Sequence, residues 1–262
     1  MHGVSAQDPG RPIDWGRTSA DYSRHRPGFP PSFYERIAAL GVGLSGERVL
    51  DLGTGTGALA RGLARRGCEV TGIDISPEQV GEAKRLAEQD GLPVAFHVRT
   101  AEDTGLVAGS FDLVAAAQCW LYFDRDRVVA EVKRLLAPGG RLVTCHLCWL
   151  PRQDEMARRS EALVLQHNPR WTAADWSGEV PACPAWVRDD FVVTAMFFYD
   201  ERIPFTRESW RGRFRACRGV GAALTPDEVE RFDRDHAALL DRTVPAEFAV
   251  LHRIDAHVLA VR

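Results

Sequence analysis

The chain has 262 residues, 45% of them hydrophobic and 26% charged. That is long enough for one large domain with insertions and too apolar for a disordered or collagen-like chain. Lys plus Arg number 33 against 36 Asp plus Glu, a formal charge of -3, which excludes a global electrostatic drive toward nucleic acid or an anionic membrane. The first fourteen residues have no apolar leader core and nowhere do eighteen apolar residues run together, so the expectation is a cytoplasmic protein with no membrane partner.

In chain order, apolar segments at 48–53, 69–75, 94–101, 111–118 and 141–148 alternate with helical stretches. They are near-continuous in Val, Leu, Ile and Ala, the pattern of parallel strands covered on both faces, and predict a doubly wound α/β core. Ser76-Pro77-Glu78 places an N-cap before an N1 proline, and Pro138-Gly139-Gly140 ends a helix begun near Arg125. Six cysteines are scattered through the chain. Cys145 and Cys148 fall three apart on a predicted strand and so on opposite faces, which suits core thiols rather than a metal site, and no metal is expected.

After 148 the alternation stops. Residues 149–190 carry Trp149, Trp171, Trp176 and Trp186 with four prolines and predict a separate cap. A strand at 191–204, helices at 206–218 and 226–241, and a closing strand at 247–261 follow, with Thr225-Pro226-Asp227-Glu228 as a capping box. Two late strands joined by a long connection predict an antiparallel edge.

The chemistry concentrates at the first strand–helix junction, Val49-Leu50-Asp51-Leu52-Gly53-Thr54-Gly55-Thr56-Gly57-Ala58. Glycines at alternate positions let the backbone turn sharply and let a ligand approach the main chain, so a nucleotide-like cofactor is implied. The spacing also satisfies the dinucleotide fingerprint and alone leaves NAD open. Asp51 argues against pyrophosphate, which a carboxylate repels, and for a cationic ligand. Asp74, ending the second strand, suits a ribose diol in either cofactor class.

With Val70 to Ile75, Ala101 to Val114 and Leu135 to Val143, these motifs resemble in order those of the class I S-adenosylmethionine-dependent methyltransferases, in the ubiquinone/menaquinone-biosynthesis and trans-aconitate methyltransferase branch. Asp21-Tyr22-Ser23-Arg24-His25-Arg26-Pro27-Gly28-Phe29-Pro30 resembles that branch's Y-x-x-x-R-P-G-Y-P segment. The resemblance implies a Rossmann-like, mostly parallel α/β sheet of seven strands with an antiparallel edge and a helical cap inserted late in the chain. It divides the chain into an arm at 1–31 closing over the cofactor, a cofactor-binding core at 32–148, a cap at 149–190, and strands and lid helices at 191–262. It further implies that Gly53, Gly55 and Gly57 surround the methionine and ribose of S-adenosylmethionine and that Asp51 holds its amino group. Asp74 would take the ribose diol, Ile75 would pack on adenine, and Ala101 with Glu102 would read the adenine edge. Gln118 would line the methionine, and Tyr22 and Arg26 would close over the cofactor. Thr100 stands where the family often has Asp, and Gln79 where it often has Met or Leu.

Beyond the cofactor, His146 near the carboxyl edge is the candidate general base, against the plainer reading of a core histidine. Trp120, Tyr122 and Trp149 are candidate walls of the substrate pocket. Along 206–218, Trp210, Phe214 and Cys217 recur as an apolar stripe expected to point inward, and Arg207, Arg211, Arg215 and Arg218 as a cationic stripe expected to face water. The resulting expectation is methyl transfer to a small, apolar or aromatic acceptor by in-line displacement, with no nucleic-acid partner. The alternatives are an RNA or protein methyltransferase using the 207–218 arginines, an NAD(P)-dependent oxidoreductase, and a non-catalytic cofactor-binding protein.

Overall fold

The computed structural model describes residues 24–25, 27–187 and 190–262, together with the backbone of a short hairpin, β1 (Gln7–Asp8) and β2 (Arg11–Pro12). Tyr22 and Arg26 lie outside the described residues. The remaining elements begin with α1 (Pro31–Ala39), β3 (Arg48–Leu52), α2 (Ala58–Ala64), β4 (Glu69–Asp74), α3 (Pro77–Gln89), β5 (Ala95–Val98) and β6 (Phe111–Ala117). They continue with α4 (Arg125–Leu135), β7 (Leu136–Trp149), α5 (Glu155–His167), β8 (Phe191–Thr206), α6 (Arg207–Arg215), α7 (Pro226–Thr243) and β9 (Glu247–Val261).

Seven strands form one sheet in the order β5-β4-β3-β6-β7-β9-β8. The first five are parallel, with Asp51 opposite Gly72 on one side and Ala115 on the other, so the carboxylate has small neighbours in both flanking strands. Strand order reverses at β3, which puts the crevice of this doubly wound sheet at the carboxyl ends of β3 and β6. β9 runs antiparallel to both its neighbours. Asp190 accepts from the Arg262 amide and Ala246 from the Arg207 amide on the β8 side, while Leu251 accepts from the Leu150 amide on the β7 side. On the β8 side one residue number rises as the other falls, and on the β7 side the contact of residues 146 and 255 together with that of 150 and 251 shows the same. The antiparallel strand is therefore one place in from the edge, with β8 outermost.

Local signals explain most element starts. Ser76 accepts from the Gln79 amide with Pro77 behind it, and Thr225 and Glu228 form the expected reciprocal box. Thr206 caps α6 through a box with Ser209, and Asp124 caps α4 by accepting from the Arg127 amide; the sequence pattern had flagged neither cap. One boundary differs from expectation. β7 starts at Leu136, not 141, because Pro138–Gly140 is looped out inside the strand: Phe111 pairs with Leu136 but Leu113 with Arg141, and Gly139 takes φ +80°.

The chain forms two compact units. One comprises Pro27–Leu147, Val180–Phe198 and Ile254–Arg262, and its core joins Leu50, Leu52, Ile73, Val114 and Ala116 of the sheet to Val128, Val132 and Leu135 of α4. The other comprises Met1–Arg26, Cys148–Glu179 and Tyr199–Arg253. Its core is aromatic: Trp210, Phe214 and Phe232 are fully buried, with Trp149 stacked on Phe214 at 4.9 Å. No described helix is long and apolar enough to cross a membrane.

Candidate functional site

The loop leaving β3 is built by three left-handed residues, Gly53 (φ +58°), Gly55 (φ +55°) and Gly57 (φ +75°), a conformation that a side chain makes costly. Space forbids side chains at two of them as well. A Cβ on Gly53 would lie 2.9 Å from the Cys119 Cβ, and one on Gly57 2.8 Å from the Phe96 ring. The loop is thereby pressed onto the carboxyl edge, and α2 begins directly after Gly57 with its amides turned toward the crevice.

Beneath the loop, Asp51 is almost fully buried. Its Oδ2 accepts from the Thr54 hydroxyl at 2.7 Å, while Oδ1 has no hydrogen-bond partner. Burial pushes its pKa up to about 7 against the smaller opposing pull of the Thr54 hydroxyl and the Ala60 amide, and the nearby Asp74 carboxylate raises it further. Asp74 accepts from the Gly55 amide at 2.9 Å and the Ser76 amide at 3.0 Å, so it ties the glycine loop to the start of α3. Its pKa is also raised, chiefly by burial. Neither acid meets a cation in an ion pair among the described residues. Two desolvated carboxylates without a counter-charge are a receptor for one.

Next to Asp74, Ile75 is 67% exposed, an open apolar face at the crevice. Ala101 is buried, and Glu102 accepts from the Asp124 amide at 2.9 Å. Gln118 sits at φ +62°, where a non-glycine residue is uncommon. Its amide donates to Cys145 at 3.0 Å and its side-chain amide to Leu147, clasping the end of β7 on both sides of His146. Trp120 follows in a single 3₁₀ turn with Tyr122; it is buried, with Trp186 at 4.5 Å and Phe123 at 6.1 Å between ring centroids.

His146 Nδ1 lies 2.9 Å from Asp255 Oδ1, a contact across 109 residues of chain that sequence reasoning missed. The available signal was one acid, flanked by His252 and His257, inside the apolar run of the closing strand. Thr54, which anchors Asp51, was missed as well.

In the other unit, Trp149 donates Nε1–H to Glu161 at 2.6 Å and has the Arg213 guanidinium 4.7 Å from its ring centre. The apolar stripe points inward as expected: Trp210 and Phe214 of α6 and Cys217 just beyond its end are all buried. Three arginines of the cationic stripe are held in ion pairs, and Arg211 and Arg215 are drawn largely out of water. Arg211 and Arg215 converge on Asp233 of α7, Arg215 also reaches Glu208 at 2.8 Å, and Arg207 meets Asp241 at 2.9 Å. The cause lies in α7, whose acids at 233 and 241 present paired charge to α6 and neutralise it. No group of three or more His, Cys, Asp or Glu among the described residues could hold a metal.

A glycine loop at the switch point, a buried acid below it and a second acid ending the next strand define an α/β protein that binds a nucleotide-type cofactor carrying positive charge. A methyltransferase-domain family model matches residues 50–144. The chain is 31% identical over 175 residues to the ubiquinone biosynthesis O-methyltransferase of Xanthomonas oryzae, covering 66% of this chain and 71% of that protein. It is 35% identical over 144 residues to the uncharacterized methyltransferase Rv3342 of Mycobacterium tuberculosis, a match spanning 55% of each chain. The solved structure of YjhP from Escherichia coli shares the fold at TM-score 0.54 and 22% identity, covering 94% of this chain and 99% of that one. The chain belongs to the class I S-adenosylmethionine-dependent methyltransferases. Its donor set fits that cofactor, since the orphaned, buried Asp51 Oδ1 suits an ammonium and would repel a pyrophosphate.

Proposed function

We propose that the protein transfers the methyl group of S-adenosylmethionine to a small-molecule acceptor of apolar or aromatic character. The observation that carries the reading is the buried Asp51 and the half-buried Asp74, neither paired with a cation among the described residues, at a glycine loop at the switch point. In this reading Asp51 holds the amino group of the cofactor. Asp74 keeps two of its lone pairs on the Gly55 and Ser76 amides and offers the other two to the ribose diol. Gly53, Gly55 and Gly57 give the cofactor access to backbone amides, Ile75 covers one face of the adenine, Ala101 and Glu102 meet its edge, and Gln118 lines the methionine side. The cofactor supplies an already activated sulfonium methyl, so what remains for the chain is to orient the acceptor in line and exclude water.

For the acceptor, the half-buried Trp186, packed 4.5 Å from the buried Trp120, offers a flat apolar surface in the unit that carries the glycine loop, and the Xanthomonas relative is by name an O-methyltransferase of ubiquinone biosynthesis. Against RNA stands the consumption of the α6 guanidinium groups by Asp233, Glu208 and Asp241. Titration calorimetry with S-adenosylmethionine, S-adenosylhomocysteine and NAD(H) tests the reading. Saturable binding of the first two alone is expected; binding of NAD(H) alone would refute it.

A further inference from the structure

We infer that His146 and Asp255 form a general-base dyad, which makes the acceptor a hydroxyl compound of the phenol class; the inference rests on the methyl-transfer reading above. His146 lies one residue beyond Cys145, which pairs with Ala117 at the carboxyl end of β6, and Gln118 fixes the backbone on both sides of it. Two strand spacings, roughly 10 Å, separate that position from the glycine loop after β3. The base is thus level with the crevice and not down in the sheet.

The tautomer follows from the partner. An ionised carboxylate only accepts, so His146 Nδ1, 2.9 Å from Asp255 Oδ1, carries the hydrogen, and Nε2 keeps its lone pair. The exposures divide the labour. The His146 side chain is 33% exposed and Asp255 only 4%, so the imidazole opens outward while the acid orients it from below. The neighbours around Asp255 are His257, whose Nδ1 is 4.0 Å from Oδ1 and whose Nε2–H donates to the Pro181 carbonyl at 2.8 Å, and the buried Cys145 thiol. No Lys or Arg reaches Asp255 among the described residues, so the His146 Nδ1–H is the side-chain donor that the structure places on it. A tie between β7 and β9 would be made more cheaply by two apolar side chains.

The base fits an acceptor that must shed a proton. A thiol ionises near neutrality unaided, whereas a phenolic hydroxyl, with a pKa near ~10, keeps its proton at neutral pH and, being uncharged, can enter an apolar site before losing that proton to the base. As the oxygen bonds to the methyl carbon, its proton passes to His146 Nε2, and the pair of the breaking carbon–sulfur bond stays with sulfur. The sulfonium becomes a neutral thioether, and the imidazolium, held by Asp255, later returns its proton to water.

The test compares wild type, His146→Asn and Asp255→Asn, using catechol and the more acidic 4-nitrocatechol with methyl-labelled cofactor, alongside calorimetry of S-adenosylhomocysteine. His146→Asn is expected to bind S-adenosylhomocysteine normally and to lose about 100-fold in kcat with catechol at pH 7. It should recover about tenfold per pH unit as the hydroxyl ionises, and lose less than tenfold with 4-nitrocatechol. Nitrogen NMR of the wild type should show His146 with hydrogen on Nδ1, and Asp255→Asn should shift that tautomer while lowering kcat more than it raises KM. Equal losses on both catechols, an unchanged tautomer in Asp255→Asn, or wild type that binds S-adenosylhomocysteine yet methylates neither catechol would each overturn the dyad and leave the cofactor reading standing. Failure to bind S-adenosylhomocysteine overturns the reading beneath it.

Discussion

Replacing Asp51 by Asn should make the free protein more stable and the cofactor complex weaker. In the folded chain burial raises the pKa of Asp51 from 3.8 to about 7, so the native state binds more protons than the unfolded chain between those values. The stability this group supports is complete below pH 3.8 and lost as pH rises through 7. Three units correspond to about 4 kcal/mol at pH 8, and seating an amide hydrogen in place of the carboxylate oxygen takes back about 1–2 kcal/mol, which leaves a net gain of about 2 kcal/mol. Urea unfolding at pH 8 and pH 4 measures it: the variant should gain at pH 8 and show no gain at pH 4. Binding should move the other way. The ammonium of the cofactor needs the carboxylate, so its loss costs about 1.5–3 kcal/mol, roughly ten- to a hundredfold in affinity. In the wild type, binding should expel the Asp51 proton, about 0.9 per site at pH 6 and about 0.5 at pH 7, read by calorimetry in buffers of different ionisation enthalpy. An Asn variant that is less stable at pH 8, or wild-type binding with no proton release at pH 6, would refute the reasoning.

Asp74→Ala should weaken S-adenosylhomocysteine binding by about 1.5–3 kcal/mol while lowering Tm only modestly, since it frees the Gly55 and Ser76 amides to meet water; normal binding with a large fall in Tm would make Asp74 structural. Changing Arg211 and Arg215 together to Gln should leave turnover within twofold and cost about 1–3 kcal/mol in urea unfolding, because Asp233 loses both cations; a tenfold loss of turnover would favour an anionic acceptor. His236 is fully buried with Ser160 at 2.9 Å, and burial pushes its pKa down from 6.5 to about 3. Stability should therefore be complete above pH 6.5 and fall as pH drops, by about 2.7 kcal/mol at pH 4.5, a slope that His236→Gln should flatten.

The core of the fold was legible because its signals are local. Near-continuous apolar runs marked the parallel strands, Ser76 and Thr225 marked helix starts within four residues of themselves, and three alternating glycines marked a turn that only left-handed backbone makes. The same locality explains the inward face of α6, where Trp210 and Phe214 share a helical stripe. Pairings between distant segments were not legible, since they depend on strand order. β9 enters between β7 and β8, and that insertion alone brings Asp255 to His146. The packing of α6 against α7 likewise turned the arginine stripe from a solvated face into ion pairs with Asp233 and Asp241, because a charge pattern on one helix cannot reveal what faces it. Asp51 shows the division within one residue. Its place before the glycine loop is written in the sequence, whereas the desolvation that strips it of a counter-charge arises only when the loop closes over the sheet edge.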